Sequence, residues 1–444
     1  MESSESKKRE SESRGSVVFV SQQFPPDRSG HASRLSALAT TLAAEGWDVS
    51  VLAPPPSFPH GEFEWSWQRR DTTHVDGVEV IRLWTVQPTR PDPGFLTRMA
   101  FYVVFAFHAT LWLLFRRYEH DVLVTTTPPI STGVAGIATV RTETHWVVDV
   151  RDLWIDASVS LGFIPEGGLL ERGSRRFQRQ VLARADRLAV TTETLGKRLC
   201  EQYGPGLEEK LLLVPNGVDT ERFRRPFHRP ENQHEISGTA STDTGEPVRR
   251  DGGDSKRTPQ VVIYTGNIGH AQNLGQCIRA LEMLPEDVIL RLVGGGDAVA
   301  DLKQLATDRG VGHRVEFVGI RPHDEIPRLL GEAHVGVAPL KDDEELAYAM
   351  PTKVYEYLGN GLPVVTTGRG ELERFIERSD GGIHAESDSH SIATAIETLL
   401  EDDEFRAEAG RRGSEYVQER YDRGHVARRF SEHLDKLVTA TEVS

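Results

Sequence analysis

The sequence predicts an α/β fold made of two doubly wound domains that face each other across a cleft. Short apolar runs alternate with helix-length segments along nearly the whole chain. The alternation occurs in two series, over residues 15–224 and 260–422, and residues 225–259 between them have almost no apolar anchor. The chain of 444 residues is also too long for one ordinary core. These three observations together predict two domains.

The first series begins with a strand, a loop and a helix. Residues 17–21 are an apolar run, a Pro/Gly loop follows them, and residues 31–45 have a helical pattern. Further apolar runs follow at 48–52, 78–83, 121–125, 145–149, 187–190 and 211–214. Because helix-length segments separate most of these runs, the order predicts a parallel sheet covered by helices.

The second series repeats this pattern. Its apolar runs are 260–265, 288–293, 315–318, 335–338, 363–366 and 382–384. Residues 423–444 are expected to form a C-terminal helix that packs back on the N-terminal domain. The two polar segments are interpreted as a disordered tail over residues 1–14 and a linker with a disordered insertion over 225–259.

The formal net charge of −15 argues against a nucleic-acid partner, which requires a basic face. The charge is uneven: residues 15–224 carry −2 and residues 225–444 carry −13. Only nine of the 52 basic residues are lysine, and such an acidic surface suggests a salt-rich cytoplasm, hence a halophilic protein. Cys200 and Cys277 lie in different predicted domains without metal-binding spacing, which indicates structural thiols in a reducing compartment.

Glycines follow several predicted strands, where ligands bind in open α/β sheets. After the first strand, Gly30 precedes a helix whose amides could meet a phosphate or a sugar, although a glycine there is often only a turn. In the second domain Gly266, Asn267 and Gly269 follow one strand, and residues 294–296 end the next. Neither segment has GxGxxG spacing, so a dinucleotide site is not supported.

The segment MPTKVYEYLGNGLPVVTT predicts a helix that starts at Pro351 and Thr352, directly after Met350. Lys353 lies in the first turn, where a cation is unfavourable for the helix dipole, so a diphosphate is its natural partner. Glu356 can accept hydrogen bonds from two ribose hydroxyls. The alternative is an exposed Lys–Glu pair with no ligand.

Six segments of the chain resemble, in the same order, the family 4 glycosyltransferases. They are TTTPPISTGVAG, VVDVRDLWIDAS, VPNGVDTERF, YTGNIGHAQNL, FVGIRPHDEIPRLL and MPTKVYEYLGNGLPVV. Within that family, the most similar branch builds O-antigen, capsule or lipid-linked oligosaccharides. The resemblance implies the GT-B fold of two Rossmann-like domains, with a nucleotide-sugar donor in the C-terminal domain and an acceptor in the N-terminal one.

The resemblance assigns roles to individual residues. Glu356 matches the second glutamate of the family's E-x7-E element, which is expected to bind the donor ribose. The first glutamate would fall at Tyr348, and nearby Glu344 or Glu345 are candidates to replace it. The family's pair of basic residues for the diphosphate is not obvious here, which leaves Lys353 as the candidate cation.

The resemblance also places the reading of the nucleotide base at the backbone of Gly319, Ile320 and Arg321. It implies that the anomeric configuration is retained and that no cofactor is required. Lys353 and helix N-termini are expected to stabilise the departing nucleoside diphosphate without a metal. The sequence has no D-x-D triplet and no clustered histidines, which agrees with a metal-free site.

The candidate residues for the acceptor follow strands of the N-terminal domain. Asp152, with Arg151 and Trp154, comes directly after a predicted strand and is expected to face the cleft. Thr127, in the segment TTTPPISTGVAG, is a further candidate. The alternative is that Asp152 only caps a loop.

Residues 99–115 are an apolar stretch flanked by Arg98, Arg116 and Arg117. The stretch is short for a membrane span, which needs about 20 residues, and it lies between two strands of one sheet. A buried helix or a helix docked on lipid remains, and docking is favoured because the stretch is apolar all round. The expected location is therefore cytoplasmic, on the inner face of the membrane. Four arginines at helical spacing either extend this surface or are a solvated face: Arg172, Arg175, Arg176 and Arg179.

The predicted partners are a nucleotide-sugar donor, a lipid-linked or saccharide acceptor and a membrane surface. Two rival functions remain open at this point, because fold alone does not settle function. A nucleotide-sugar epimerase would use a similar fold and need no acceptor. A catalytically inactive nucleotide-sugar-binding subunit is suggested by Tyr348 in place of the expected glutamate.

Overall fold

The computed structural model describes residues 14–68, 70–116, 120–141, 143–160, 162–224 and 259–442. The tail predicted over residues 1–14 and the insertion predicted over 225–259 lie almost entirely outside these ranges. The described part of the chain contains two sheets, one in each half, so the predicted fold class is confirmed.

The N-terminal sheet has eight strands in the order β3-β4-β2-β1-β5-β6-β7-β8. The strands are β1 (Ser16–Val20), β2 (Asp48–Ala53), β3 (Arg70–Val75), β4 (Val78–Leu83), β5 (Val122–Thr127), β6 (His145–Val150), β7 (Arg187–Val190) and β8 (Leu211–Leu213). Every neighbouring pair is parallel except β3 with β4. Sequence analysis missed β3, because its residues are mostly exposed and show no apolar alternation.

Helices cover both faces of this sheet, which explains why all six residues of β5 are buried. The helices of this half are α1 (Gly30–Ala44), α2 (Phe95–Arg116), α3 (Gly133–Thr139), α4 (Trp154–Ser160), α5 (Leu169–Arg184), α6 (Glu193–Tyr203) and α7 (Thr220–Phe223). Ser29 caps α1, because its side chain accepts a hydrogen bond from Ala32 N.

The C-terminal sheet has six parallel strands in the order β11-β10-β9-β12-β13-β14. The strands are β9 (Gln260–Thr265), β10 (Val288–Val293), β11 (Val315–Gly319), β12 (Val335–Ala338), β13 (Val364–Thr366) and β14 (Gly382–His384). The helices are α8 (Leu274–Ala280), α9 (Val299–Asp308), α10 (Ile326–Gly331), α11 (Thr352–Gly359), α12 (Glu371–Ser379), α13 (Ser389–Glu401), α14 (Asp403–Arg420) and α15 (Arg423–Glu442).

The last helix, α15, returns to the N-terminal half. Its buried Phe430 and Leu434 belong to the same apolar cluster as Leu38 and Trp47. Trp47 Nε1 also donates a hydrogen bond of 3.0 Å to Ser431 Oγ. The C-terminal helix therefore ties the two halves together.

The strand orders locate the ligand sites. In each sheet the order reverses at the first strand of the half, which is β1 between β2 and β5 and β9 between β10 and β12. Open α/β sheets bind ligands at the carboxyl ends of the strands beside such a reversal. Gly30 opens the helix that follows β1, and Gly266 lies in the loop after β9, so both of these glycines lie at expected ligand positions.

Candidate functional site

Three loops meet at the carboxyl end of the C-terminal sheet, after β9, β10 and β11. Backbone hydrogen bonds of 2.9 Å join them, from Gly266 N to Val293 O, from Ile268 N to Gly295 O and from Gly294 N to Gly319 O. The predicted donor residues on these loops therefore lie together.

Close packing explains why two of these positions are glycines. At Gly294, with φ of +141°, a Cβ atom would lie 1.9 Å from Gly266 O. At Gly266, with φ of +115°, a Cβ atom would lie 3.3 Å from Lys353 Nζ. Gly269 N donates to Gln272 Oε1 at 3.0 Å, and Asn267 is exposed beside it. Gly266 thus leaves room for the Lys353 ammonium.

Lys353 projects from the first turn of α11 onto an aromatic ring. Its Nζ atom lies 3.6 Å from the centroid of Tyr264, close enough for a cation–π interaction. Burial lowers the pKa of Lys353 to about 7, against the opposing effect of the Glu356 carboxylate. The site thus holds an ammonium that is poorly solvated, and an incoming anion would improve its environment.

The start of α11 is formed by the other residues predicted there. Pro351 is the extended N-cap residue, with φ of −63°, and no side chain caps the helix. Thr352 is the first helical residue, and Met350 before it is buried in the apolar core. The first amides of this helix can therefore bind an anion together with Lys353.

Glu356 lies on the same helix and contacts a residue that sequence analysis missed. His323 Nε2 is 3.1 Å from Glu356 Oε1, and the His323 ring also packs against Phe223. His323 follows Ile320 and Arg321, which are both exposed after β11. The position predicted to read the base therefore lies next to the carboxylate predicted to bind the ribose.

On the N-terminal side, the carboxyl end of β6 has buried charged side chains around it. Arg34 and Asp149 form a 2.9 Å ion pair, with side chains 3% and 5% exposed. Burial lowers the pKa of Arg151 to about 10, although the Asp149 carboxylate opposes this shift. Burial also lowers the pKa of His31 well below its usual value, and the Arg151 and Arg34 charges act in the same direction. His31 is therefore neutral near pH 7.

Asp152 contacts the residue that stands in place of the expected glutamate. The Tyr348 hydroxyl comes from the C-terminal half and donates to Asp152 Oδ1. Glu344 is paired with Arg198 and Arg369, and Glu345 is exposed. Tyr348 thus reaches the N-terminal half of the protein, a contact that the residue pattern did not indicate.

Two further acceptor candidates lie near this loop. Trp154 begins α4 and is half-buried. Thr127 ends β5 and its carbonyl accepts from Arg151 N at 3.1 Å, which makes the two residues backbone neighbours. Thr127 also lines a small pocket with Gln178 and Val181, and Asp152 is not among the residues that line it.

The apolar helix α2 is buried on one side only. Phe105, Ala109 and Leu113 belong to the core cluster beneath the sheet. Its opposite side exposes large apolar side chains at helical spacing: Leu96, Val103, Phe107 and Leu114. Among the described residues, this is the single helix long and apolar enough to cross a membrane, and 39% of its most apolar 18-residue window is buried in the protein. The helix thus has the packed face expected of a buried helix and the exposed apolar face expected of a helix docked on lipid.

The arginines that flank the apolar stretch 99–115 and those on α5 have different surroundings. Arg98 donates to Asp92 Oδ1 at 3.0 Å and to Pro93 O at 2.9 Å. Arg175 pairs with Asp156 and Glu171, which makes it part of the fold. The other three arginines predicted on this surface, all on α5, are exposed: Arg172, Arg176 and Arg179. Arg117 and the side chain of Arg116 lie outside the described part of the chain.

No group of three or more His, Cys, Asp or Glu residues that could hold a metal occurs among the described residues. Metal independence stays a prediction.

Comparison with known proteins identifies two matching family models. Residues 29–217 match the family described as glycosyl transferase 4-like domain, and residues 248–416 match glycosyl transferases group 1. Together these matches cover more than half of the 444 residues.

Several curated relatives are glycosyltransferases. The glycosyl transferase WcaI assigned to colanic acid biosynthesis in Escherichia coli strain K12 is 24% identical over 80% of this chain and 84% of its own length. The lipopolysaccharide core biosynthesis glycosyltransferase LpsE of Rhizobium meliloti is 30% identical, over 41% of this chain and 52% of its own.

Solved structures share the whole architecture. Sucrose-phosphate synthase of Thermosynechococcus elongatus has a TM-score of 0.71 at 19% identity, over 96% of this chain and all of that chain. HepE of Anabaena, solved with UDP-glucose, has a TM-score of 0.65 at 17% identity, over 95% of this chain and all of that chain. At these identities the likeness shows the fold alone, two parallel-sheet domains that face each other.

Proposed function

Because the chain belongs to the group 1 glycosyltransferases and has the GT-B fold, we propose that it acts in the synthesis of a cell-surface glycan. In this proposal a nucleotide diphosphate sugar is the donor, and a lipid-linked saccharide or lipid phosphate is the acceptor. The names of WcaI and LpsE, which refer to colanic acid and lipopolysaccharide, support the choice of pathway class.

The cluster of Lys353, Tyr264 and Gly266 carries the proposal for the donor. An ammonium beside glycine backbone, at the start of an uncapped helix, favours a diphosphate. Glu356 would accept hydrogen bonds from the ribose, and the backbone of Ile320, which is an exposed residue, would meet the base. The HepE complex with UDP-glucose supports a donor of this class.

The proposed reaction breaks the bond between the anomeric carbon and the diphosphate oxygen. Negative charge develops on the departing nucleoside diphosphate, and Lys353 with the α11 amides would stabilise it where a metal would otherwise be needed. The acceptor hydroxyl forms the new bond on the same face of the sugar, so the anomeric configuration is retained. Asp152 and Arg151 would orient that hydroxyl, and its proton would pass to the Asp152 carboxylate as the new bond forms.

Calorimetric titration with several nucleoside diphosphates tests the donor site. K353A should weaken binding about tenfold or more, because hydrogen bonds to charged groups contribute about 1.5–3 kcal/mol. The matched control is K303A, since Lys303 also lies over an aromatic ring, 5.3 Å from Phe317, but on the exposed surface of α9. Equal affinities for the wild type and K353A would remove Lys353 from the site.

The comparisons support neither rival function. The curated relatives are glycosyltransferases by name, and no epimerase stands among those reported above. An epimerase would convert its nucleotide sugar without acceptor, and an inactive subunit would release no nucleoside diphosphate. Both outcomes are measurable in the same assay.

A peripheral membrane location, on the inner face of the cell membrane, is the second part of the proposal. The exposed residues of α2 lie along one side of the helix, with the packed side held by the core, so the helix can lie in the lipid interface without leaving the sheet. This position would bring the acceptor domain to a lipid-linked substrate.

A further inference from the structure

Tyr348 belongs to the donor half by sequence but packs into the other half. It lies between the 3-10 turn Glu344–Leu346 and helix α11. Its ring packs against the core cluster of the N-terminal domain, which includes Leu153 and Leu195. The Tyr348 ring of the donor half therefore packs into the core of the acceptor half.

Hydrogen bonds hold Tyr348 at its side-chain hydroxyl and at its backbone carbonyl. Its hydroxyl donates to Asp152 Oδ1 and lies 3.5 Å from Leu153 N, which donates to it. Its backbone carbonyl accepts a 3.0 Å hydrogen bond from Thr192 Oγ1. Burial and the neighbouring Asp152 carboxylate raise the pKa of Tyr348 above its usual value, so the hydroxyl keeps the proton that it donates.

The same segment leads directly into the proposed diphosphate site. Tyr348 precedes Met350 by two residues and Lys353 by five. Ala347 O accepts a 2.8 Å hydrogen bond from Glu371 N, which holds the segment against α12. A change in the backbone at the start of α11 would therefore reach the Tyr348 ring.

We propose that Tyr348 is a positioning residue, whose hydroxyl holds the Asp152 carboxylate from across the cleft and links the donor helix to the acceptor loop. Asp152 is oriented for the acceptor only while the two domains contact each other through this side chain. The inference rests on the proposed function for the role of Asp152, but the contact itself exists without substrate.

Turnover of the full-length protein tests the role in the reaction. Y348F keeps the ring and removes only the hydroxyl, so kcat should fall about tenfold, equivalent to ~1.4 kcal/mol, while KM for the donor stays within about twofold. In a D152N background the same change should have no further effect, because the hydroxyl acts through Asp152. An unchanged kcat for Y348F, or an equal fall in the D152N background, would overturn the proposal.

The control is T194A, which removes a different contact across the same interface. Thr194 Oγ1 donates a 2.6 Å hydrogen bond to Glu371 Oε2, whereas the Asp152 carboxylate accepts from Tyr348. T194A should keep kcat within about twofold. A tenfold fall of kcat in T194A would mean that any weakening of the interface lowers kcat, which contradicts a specific role for Tyr348.

Hydrogen exchange of the ligand-free protein separates this inference from the proposed function. Y348F should increase amide exchange in the loop from Arg151 to Trp154, and T194A should not. If the wild type transferred no sugar, the proposed function would fail, but hydrogen exchange would still show whether the Tyr348 hydroxyl holds the Asp152 loop. Unchanged exchange in Y348F would show that the hydroxyl does not hold the loop.

Discussion

The Lys353 ammonium lies 3.6 Å from the centre of the Tyr264 ring, and burial lowers the pKa of Lys353 to about 7. A diphosphate binds the protonated form, so donor affinity should fall as the pH rises from 6 to 9. Calorimetry in buffers of different ionisation enthalpy should detect proton uptake on binding at pH 8. K353M should bind weakly and lose most of this pH dependence.

The lowered pKa of Lys353 also affects how the stability of the protein depends on pH. The folded-state pKa of Lys353 lies below its unfolded value of 10.5, so the unfolded chain binds more protons between these values. The contribution of Lys353 therefore makes the protein more stable as the pH rises from about 7 towards 10.5. K353M should flatten this part of the stability profile relative to the wild type, and an identical slope would contradict the lowered pKa.

Glu356 should contribute to donor binding through the ribose. E356Q keeps the size of the side chain but weakens its hydrogen-bond acceptor, so we expect about a tenfold loss of affinity for nucleoside diphosphates. In the wild type, His323 Nε2 lies 3.1 Å from Glu356 Oε1, so a bound ribose would compete with His323 for this carboxylate. The control E404Q alters an exposed glutamate on α14 and should bind as the wild type does.

The buried pair of Arg34 and Asp149 should be important for stability. R34M leaves the Asp149 charge without its partner, at a cost of about 3–5 kcal/mol in the free energy of unfolding. Urea unfolding followed by a probe in the N-terminal domain measures this loss. R411Q removes exposed ion pairs on α14 and should change stability by less than about 1 kcal/mol.

Membrane docking depends on the exposed face of α2. The wild type should float with vesicles that contain anionic lipid, and V103D/F107D should remain in the soluble fraction because two charges would enter the interface. The control M283D places one charge on an exposed apolar side chain of the donor half and should still float. A wild-type protein that never floats would refute docking.

The acidic surface should make the protein dependent on salt. Most of the net charge of −15 lies in the C-terminal half, and screening of its self-repulsion weakens as salt is removed. The unfolding temperature should therefore fall when the salt concentration is reduced from molar to millimolar. An unchanged unfolding temperature and full activity without salt would contradict the halophilic interpretation.

Most strands could be predicted because a strand buried on both faces appears in the sequence as a continuous apolar run. Residues 78–83 and 335–338, for example, were predicted at the bounds that β4 and β12 have. Strand β3 could not be predicted, because its side chains are exposed and its pairing with β4 depends on tertiary contact.

The site was predictable only in part. Strand ends and helix starts bring Gly266, Gly319 and Lys353 together, and these features are local in sequence. The contact of Tyr348 with Asp152 joins residues 196 positions apart, and no local pattern reports such a pair. The contact of His323 with Glu356 was missed for the same reason.

The proposed reaction is the transfer of a sugar from a nucleotide sugar. A single assay with purified protein, a panel of nucleotide sugars and a lipid-phosphate acceptor, in which product and released nucleoside diphosphate are both measured, tests this reaction. One donor should yield glycosylated acceptor and nucleoside diphosphate in equal amounts, and D152N should sharply reduce both while nucleotide binding persists. Conversion of the nucleotide sugar without acceptor, or no product with any donor, would contradict the proposed reaction.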